Sequence, residues 1–139
     1  VIISIDVGLK RIGVAMSPDG RLSIPQKAII RRGRKQASEE VSNLLKDLNC
    51  KTLIVGLPIG GESEEEMGRR VRHFVSLIDT GGVEIYYQDE SHSSLEAKEI
   101  MRGSIKQKRD GRVDSISASI ILKRWLNSQL KEDKSTQNR

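Results

Sequence analysis

The sequence predicts an α/β fold: a mixed five-stranded sheet flanked by helices, built from a three-strand antiparallel meander followed by β-α units. Three observations carry this. Residues 1–30 are rich in β-branched residues and are interrupted only by turns. Beyond them, helical patterns alternate with two further strand-like runs, "TLIVGLP" and "GGVEIYYQ". The last apolar segment repeats at helical spacing and is apolar nearly all round. A meander followed by alternating helices and strands closes as a mixed sheet with helices on its faces.

Each element has its own signal. Val1 to Asp6 and Arg11 to Ser17 read as strands, and "SPDGR" reads as a turn with Asp19-Gly20 at its tip. "LSIPQKAII" continues as a third strand, where Pro25 suits an edge position or a bulge. After the basic loop "RRGRK", Ala37, Val41, Leu44, Leu45 and Leu48 fall on one helical face. The run Thr52 to Pro58 is continuously apolar, as a strand covered on both sides requires. Ser63 and Glu66 form a capping box for a helix whose apolar face is Met67, Val71, Phe74, Val75 and Ile78. A strand then ends at Asp89, and Ser93 with Glu96 caps a short helix closing at Gly103. The final helix is expected from Val113 to Leu126, packed on more than one side.

The chain of 139 residues fits one domain over 1–128, followed by a polar tail, 129–139, expected to be disordered. Its net charge of +5 favours a polyanionic partner, nucleic acid first among them. Aromatic residues are only 3% of the chain, too few for a protein that binds single strands by stacking bases. Cys50 is the only cysteine, which excludes an intrachain disulfide and a thiolate zinc cluster. That usage suits a reducing cytoplasm, and no apolar run approaches membrane-spanning length.

Four acidic residues stand apart. Asp6 ends the first strand, Asp89 and Glu90 end the last, and Asp114 opens the final helix. Sites in α/β sheets gather at the carboxyl ends of strands. Carboxylates converging there repel one another unless divalent cations lie between them, and hard cations prefer oxygen ligands. Mg²⁺ or Mn²⁺, as a pair of ions, suits phosphodiester cleavage. Each residue alone also has an ordinary reading as a turn, cap or helix-dipole partner.

Four segments give the chain a resemblance to a known family. "IDVGLKRIGVA", "IVGLP", "DESHSSLEA" and "GRVDSISASIIL" resemble, in order and spacing, the motifs of the YqgF/RuvX family. That family comprises Holliday junction resolvase-like proteins and pre-16S rRNA processing nucleases of ribonuclease H-like fold. The resemblance implies a ribonuclease H-like domain whose acidic metal site is Asp6, the Asp89-Glu90 pair and Asp114. Which of Asp89 and Glu90 coordinates stays open. The implied activity is a metal-dependent endonuclease processing the 5′ end of pre-16S ribosomal RNA, in the cytoplasm, as a monomer or homodimer, with association to the ribosome. Resolution of four-way DNA junctions and non-catalytic binding of RNA or the ribosome are the alternatives. An actin-like phosphotransferase stands last, because that fold needs two such domains.

Lys10 and Arg11 follow Asp6 closely and are expected to touch phosphate, and a phosphate backbone could approach at Gly8. Lys106, Lys108, Arg109 and Arg112 precede Asp114 and are expected to position a nucleic-acid strand. Arg31, Arg32, Arg34 and Lys35, like "RRVRH" at 69–73, read mainly as solvated surface. Three positions depart from the family pattern. Ser91 replaces an arginine and is followed by His92, "IGGES" follows Pro58, and Ser119 replaces an alanine.

Overall fold

The computed structural model describes residues 1–58, 64–90 and 111–137. Its strands are β1 (Ile2–Val7), β2 (Arg11–Ser17), β3 (Ile24–Ile30), β4 (Thr52–Leu57) and β5 (Glu84–Asp89). Its helices, among the described residues, are α1 (Arg34–Asp47), α2 (Glu64–Ser76) and α3 (Arg112–Gln137). The strands form one sheet in the order β3-β2-β1-β4-β5. β1 pairs antiparallel with β2, and β2 with β3, while β1–β4 and β4–β5 are parallel. This is the mixed sheet the sequence predicts. Pro25 lies on the edge strand β3, where its missing N–H costs no ladder bond toward solvent.

Strand alternation divides the core in two. Ile3, Ile5, Val7, Ile12, Val14, Leu53, Val55 and Leu57 face α1 and α2, meeting Val41, Leu45, Val71, Phe74 and Val75. Ala15 and Ile54 face α3, meeting Ala118, Ile121, Leu122 and Leu126. The apolar faces expected of α1 and α2 are the faces they bury. The expected capping residue Ser63 and the whole Ser93–Gly103 segment lie outside the described residues.

The third helix lies across all five strands, which explains its broad apolar surface. Serines on both sides bind it to the sheet: Ser4 Oγ of β1 donates to the Ala118 carbonyl (2.7 Å), and Ser115 Oγ of the helix accepts from the Val14 amide (3.3 Å). Ser119 Oγ donates to the Ile116 carbonyl one turn back, so the departure from alanine is satisfied within the helix. The helix continues to Gln137, well past the expected end at Leu126. The segment after Leu126 carries leucine, lysine, glutamate and glutamine, good helix formers, and no proline or glycine to stop it.

Candidate active site

Asp6 lies at the carboxyl end of β1, the middle strand of the sheet. It faces α3, because Ile5 and Val7 face the other core. Its neighbours on that face, one on each side, are glycines. Asp6 pairs with Gly13 of β2, and Gly56 of β4 follows the Ile5–Val55 pair. Both gaps are filled. A Cβ on Gly13 would come within 1.9 Å of the Asp114 carbonyl oxygen, so this glycine admits the first turn of α3. A Cβ on Gly56 would come within 2.8 Å of Glu90 Oε2 and 2.6 Å of Ile121 Cδ1. Glu90 therefore occupies the space beside Asp6 that a side chain on β4 would take. Its amide donates to the Leu57 carbonyl (2.9 Å), which fixes the end of β5 against β4.

The site is electrostatically strained. The Asp6 carboxyl is held well above the ordinary aspartate value of 3.8. Removal from water is the largest cause, followed by a hydrogen bond with Glu90 and the negative charges of Glu90 and Asp114. Asp114 has a cation of its own: Arg11 Nε donates to Asp114 Oδ2 at 2.8 Å. Arg11 was expected at a phosphate, and the structure gives it this carboxylate partner.

The structure thus brings Asp6, Glu90 and Asp114 together. Asp89 pairs with Leu57, a residue of the α1/α2 core, so alternation puts Asp89 on the opposite face from Asp6. Gly8 closes the β1–β2 turn: its amide donates to the Arg11 carbonyl (3.0 Å), and a Cβ there would lie 2.5 Å from that oxygen. Lys10 is exposed beside it, and Arg112 is exposed at the start of α3. Lys106, Lys108, Arg109, Ser91 and His92 lie outside the described residues. Sequence reasoning missed Gly13 and Gly56, although both stand inside quoted motifs. Burial pushes the Cys50 thiol up, and it lies before β4 at the far end of the sheet, so it offers no nucleophile here.

The donor chemistry fits a hard divalent cation. Asp6 interacts with Glu90 and with the negative charge of Asp114, Asp114 is paired with Arg11, and burial with these charges makes Asp6 resist ionisation. Among the described residues, no three acidic, histidine or cysteine side chains are placed so as to hold one metal ion together. Asp6 and Glu90 are in contact, while Asp114 is turned to Arg11.

A sheet of this order, with carboxylates at the ends of β1 and β5 beside a helix start, defines the ribonuclease H-like class. Solved structures agree in fold. Thermus thermophilus RuvC in complex with a Holliday junction matches with a TM-score of 0.58 at 11% identity, over 94% of this chain and 96% of its own. The fowlpox virus resolvase, in complex with Holliday junction DNA, matches at 0.54 and 14%, over 93% and 98%. Within that class, the family model described as "RuvX: Holliday junction resolvase" matches residues 1–128. A protein of Sulfurimonas denitrificans is 54% identical over 124 residues, 89% of this chain and 95% of its own. One of Sulfurovum sp. (strain NBC37-1) is 52% identical over 123 residues, 88% and 95%. Both carry the name "Putative pre-16S rRNA nuclease". The chain belongs to the RuvX family.

The two glycines give a direct test. Gly56→Ala is expected to push Glu90 away from Asp6 without adding or removing a charge. On the metal-dependent reading proposed below, the Mg²⁺ concentration for half-maximal cleavage should rise roughly 10–100-fold, as when a group that orients a ligand is lost. An ion titration of the variant beside the wild type reads this directly.

Proposed function

We propose that this protein is a metal-dependent endonuclease that hydrolyses phosphodiester bonds in structured RNA, acting on the 5′ end of the pre-16S ribosomal RNA precursor in the cytoplasm. The observation that carries this reading is the meeting of Asp6, Glu90 and Asp114 at the carboxyl end of the central strand. The names of the relatives support pre-16S ribosomal RNA as the substrate. No helix among the described residues is long and apolar enough to cross a membrane, which is compatible with that location.

Asp6, Glu90 and Asp114 would hold Mg²⁺ or Mn²⁺, in a pair of ions, with Asp89 adjacent in the chain. Such ions supply charge neutralisation at the scissile phosphate and an acidified water. The chain's own residues do the rest. β1, hydrogen-bonded on both sides, fixes Asp6, since a ligand on a rigid element keeps its geometry. Glu90 reaches Asp6 through the gap at Gly56. Arg11 orients Asp114 and limits its repulsion of Asp6. Gly8, Lys10 and Arg112, together with Lys106, Lys108 and Arg109, would hold the phosphates flanking the cut. Such contacts position a strand without reading its sequence.

Labelled precursor ribosomal RNA and a four-way DNA junction, incubated side by side with Mg²⁺, Mn²⁺ or chelator, test the reading. Ion-dependent cutting of the RNA, with the junction left whole, is the expected result. Symmetric nicks in the junction alone would replace the reading with a resolvase. Binding without cutting of either would replace it with a maturation factor.

A further inference from the structure

A cleft of about 470 Å³ opens beside the β1–β2 turn, on the α1/α2 side of the sheet. It is lined by Leu9, Arg31, Arg34, Arg69, Arg70 and His73. Four arginines, from the end of β3 to the start of α1 and from α2, line it, and among the described residues no carboxylate does. Arg31 is fixed in place. Its Nη1 donates to the Gly8 carbonyl (2.8 Å), and its guanidinium lies 5.0 Å over the Phe74 ring. Arg70 is paired with Glu66 at 2.7 Å, outside the lining. Arg34 and Arg69 are exposed. The first turn of α1 carries no acidic residue, so Arg34 and Lys35 meet no countercharge within it.

A guanidinium fork matches phosphate oxygens bidentately. Several forks around an open groove suit a row of phosphates better than one compact anion. Leu9, 66% exposed, adds an apolar lip on which a sugar or base can rest. The cleft and the carboxylate site lie on opposite faces of the sheet, on either side of the β1–β2 turn. Leu9 is three residues beyond Asp6, a span of about 10 Å at most along the chain. Asp6 faces α3 and the cleft lies on the other side, so a strand joining them crosses the end of the sheet over Gly8.

We propose that this cleft binds the phosphodiester backbone of the RNA strand that leads away from the cut site. It is a second contact region beyond the basic residues beside Asp114, and it rests on the nuclease reading above.

The test is fluorescence anisotropy of a labelled RNA hairpin with a single-stranded 5′ extension, titrated with the full chain in chelator across a salt series. Arg34→Gln/Arg69→Gln is expected to weaken binding about tenfold or more. Its plot of log affinity against log salt should be shallower by about 1.4, the slope of two single-strand phosphates. Arg34→Lys/Arg69→Lys keeps the charge and should keep the slope. The control Arg21→Gln/Lys51→Gln lies at the opposite end of the sheet, beyond the starts of β1 and β4, and should leave the slope unchanged. Equal slopes for wild type and Arg34→Gln/Arg69→Gln overturn the cleft whether or not the protein cuts RNA. Equal losses in the control pair overturn it too, as diffuse attraction. A shallower slope confined to Arg34→Gln/Arg69→Gln, in a protein that cuts nothing with Mg²⁺, keeps the cleft as a binding surface and overturns the nuclease alone.

Discussion

Asp6→Asn is expected to abolish cleavage and, at the same time, to raise the melting temperature of the ion-free protein. The first effect follows from the position of Asp6 at the centre of the carboxylate group, where Asn offers one neutral oxygen in place of a charged pair. Loss of one charge-stabilising group at a reacting centre costs about 10²–10³-fold in rate, and a metal ligand is expected to cost at least that. The second effect follows from the causes of its raised pKa. Above that raised value, wild-type Asp6 is charged beside Glu90 and Asp114 and partly removed from water. Asn keeps the shape and can donate to Glu90 without the charge. The expected rise is a few degrees, since about 1 kcal/mol moves the midpoint of a domain of this size by about 3–4 °C.

The same physics fixes the pH dependence. The folded protein holds the Asp6 proton more tightly than the unfolded chain does. Stability therefore falls as pH rises between the ordinary 3.8 and the raised folded value, and it recovers as pH falls through that window. This contribution is opposite in sign to that of a salt-bridged aspartate, and Asp6→Asn should remove it. Thermal unfolding of both proteins in chelator, at a series of pH values, measures the rise and its pH dependence together. A variant less stable than wild type at neutral pH would contradict the account.

Gly13→Ala is expected to be the most damaging glycine-to-alanine change among the described residues. The added methyl would lie 1.9 Å from the Asp114 carbonyl oxygen and 2.9 Å from the Ser115 amide nitrogen. Both are backbone atoms in the first turn of α3, and no flexible side chain can move aside for them. The turn must lift from β2, taking with it the bond between Ser115 Oγ and the Val14 amide. Overpacking of this kind costs about 3 kcal/mol, a drop of about 10 °C. Asp114 moves with the turn, and displacement of about 1 Å at a reacting centre costs about 10²-fold in rate. Gly68→Ala is the control. Gly68 is inside α2, and the nearest atom that a Cβ would meet outside the helix's own backbone is Arg72 Nη1, at 3.4 Å. Alanine there should stabilise the helix by about 0.5–1 kcal/mol. Circular-dichroism melting of the two variants, with single-turnover cleavage, reads both effects.

The strands, the faces of α1 and α2 and the position of Asp6 were legible because each depends on a local pattern. Alternation in β1 and helical spacing in α1 need no knowledge of the rest of the chain. The partners within the site were not legible in this way. Arg11 and Asp114 are 103 residues apart, and nothing near Arg11 in the sequence distinguishes an ion pair from a phosphate contact. Gly13 and Gly56 stand in apolar runs where a glycine reads as a mild weakness. Their use appears only when α3 and Glu90 are seen in the spaces they leave. The faces of Asp89 and Glu90 depend on the register of β5 against β4, which the sequence of β5 alone does not set. The length of α3 was underestimated because a polar helix end, continuing beyond the sheet, carries no apolar periodicity.

The central claim is that Asp6, Glu90 and Asp114 form one cation site. The most direct measurement is the titration of the Asp6 carboxyl by carbon-detected nuclear magnetic resonance, in chelator and in saturating Mg²⁺. The account predicts a midpoint well above 3.8 in chelator and a fall of at least about one unit when Mg²⁺ is added, because a bound cation favours the ionised carboxylate. An ordinary midpoint that Mg²⁺ does not move would contradict it.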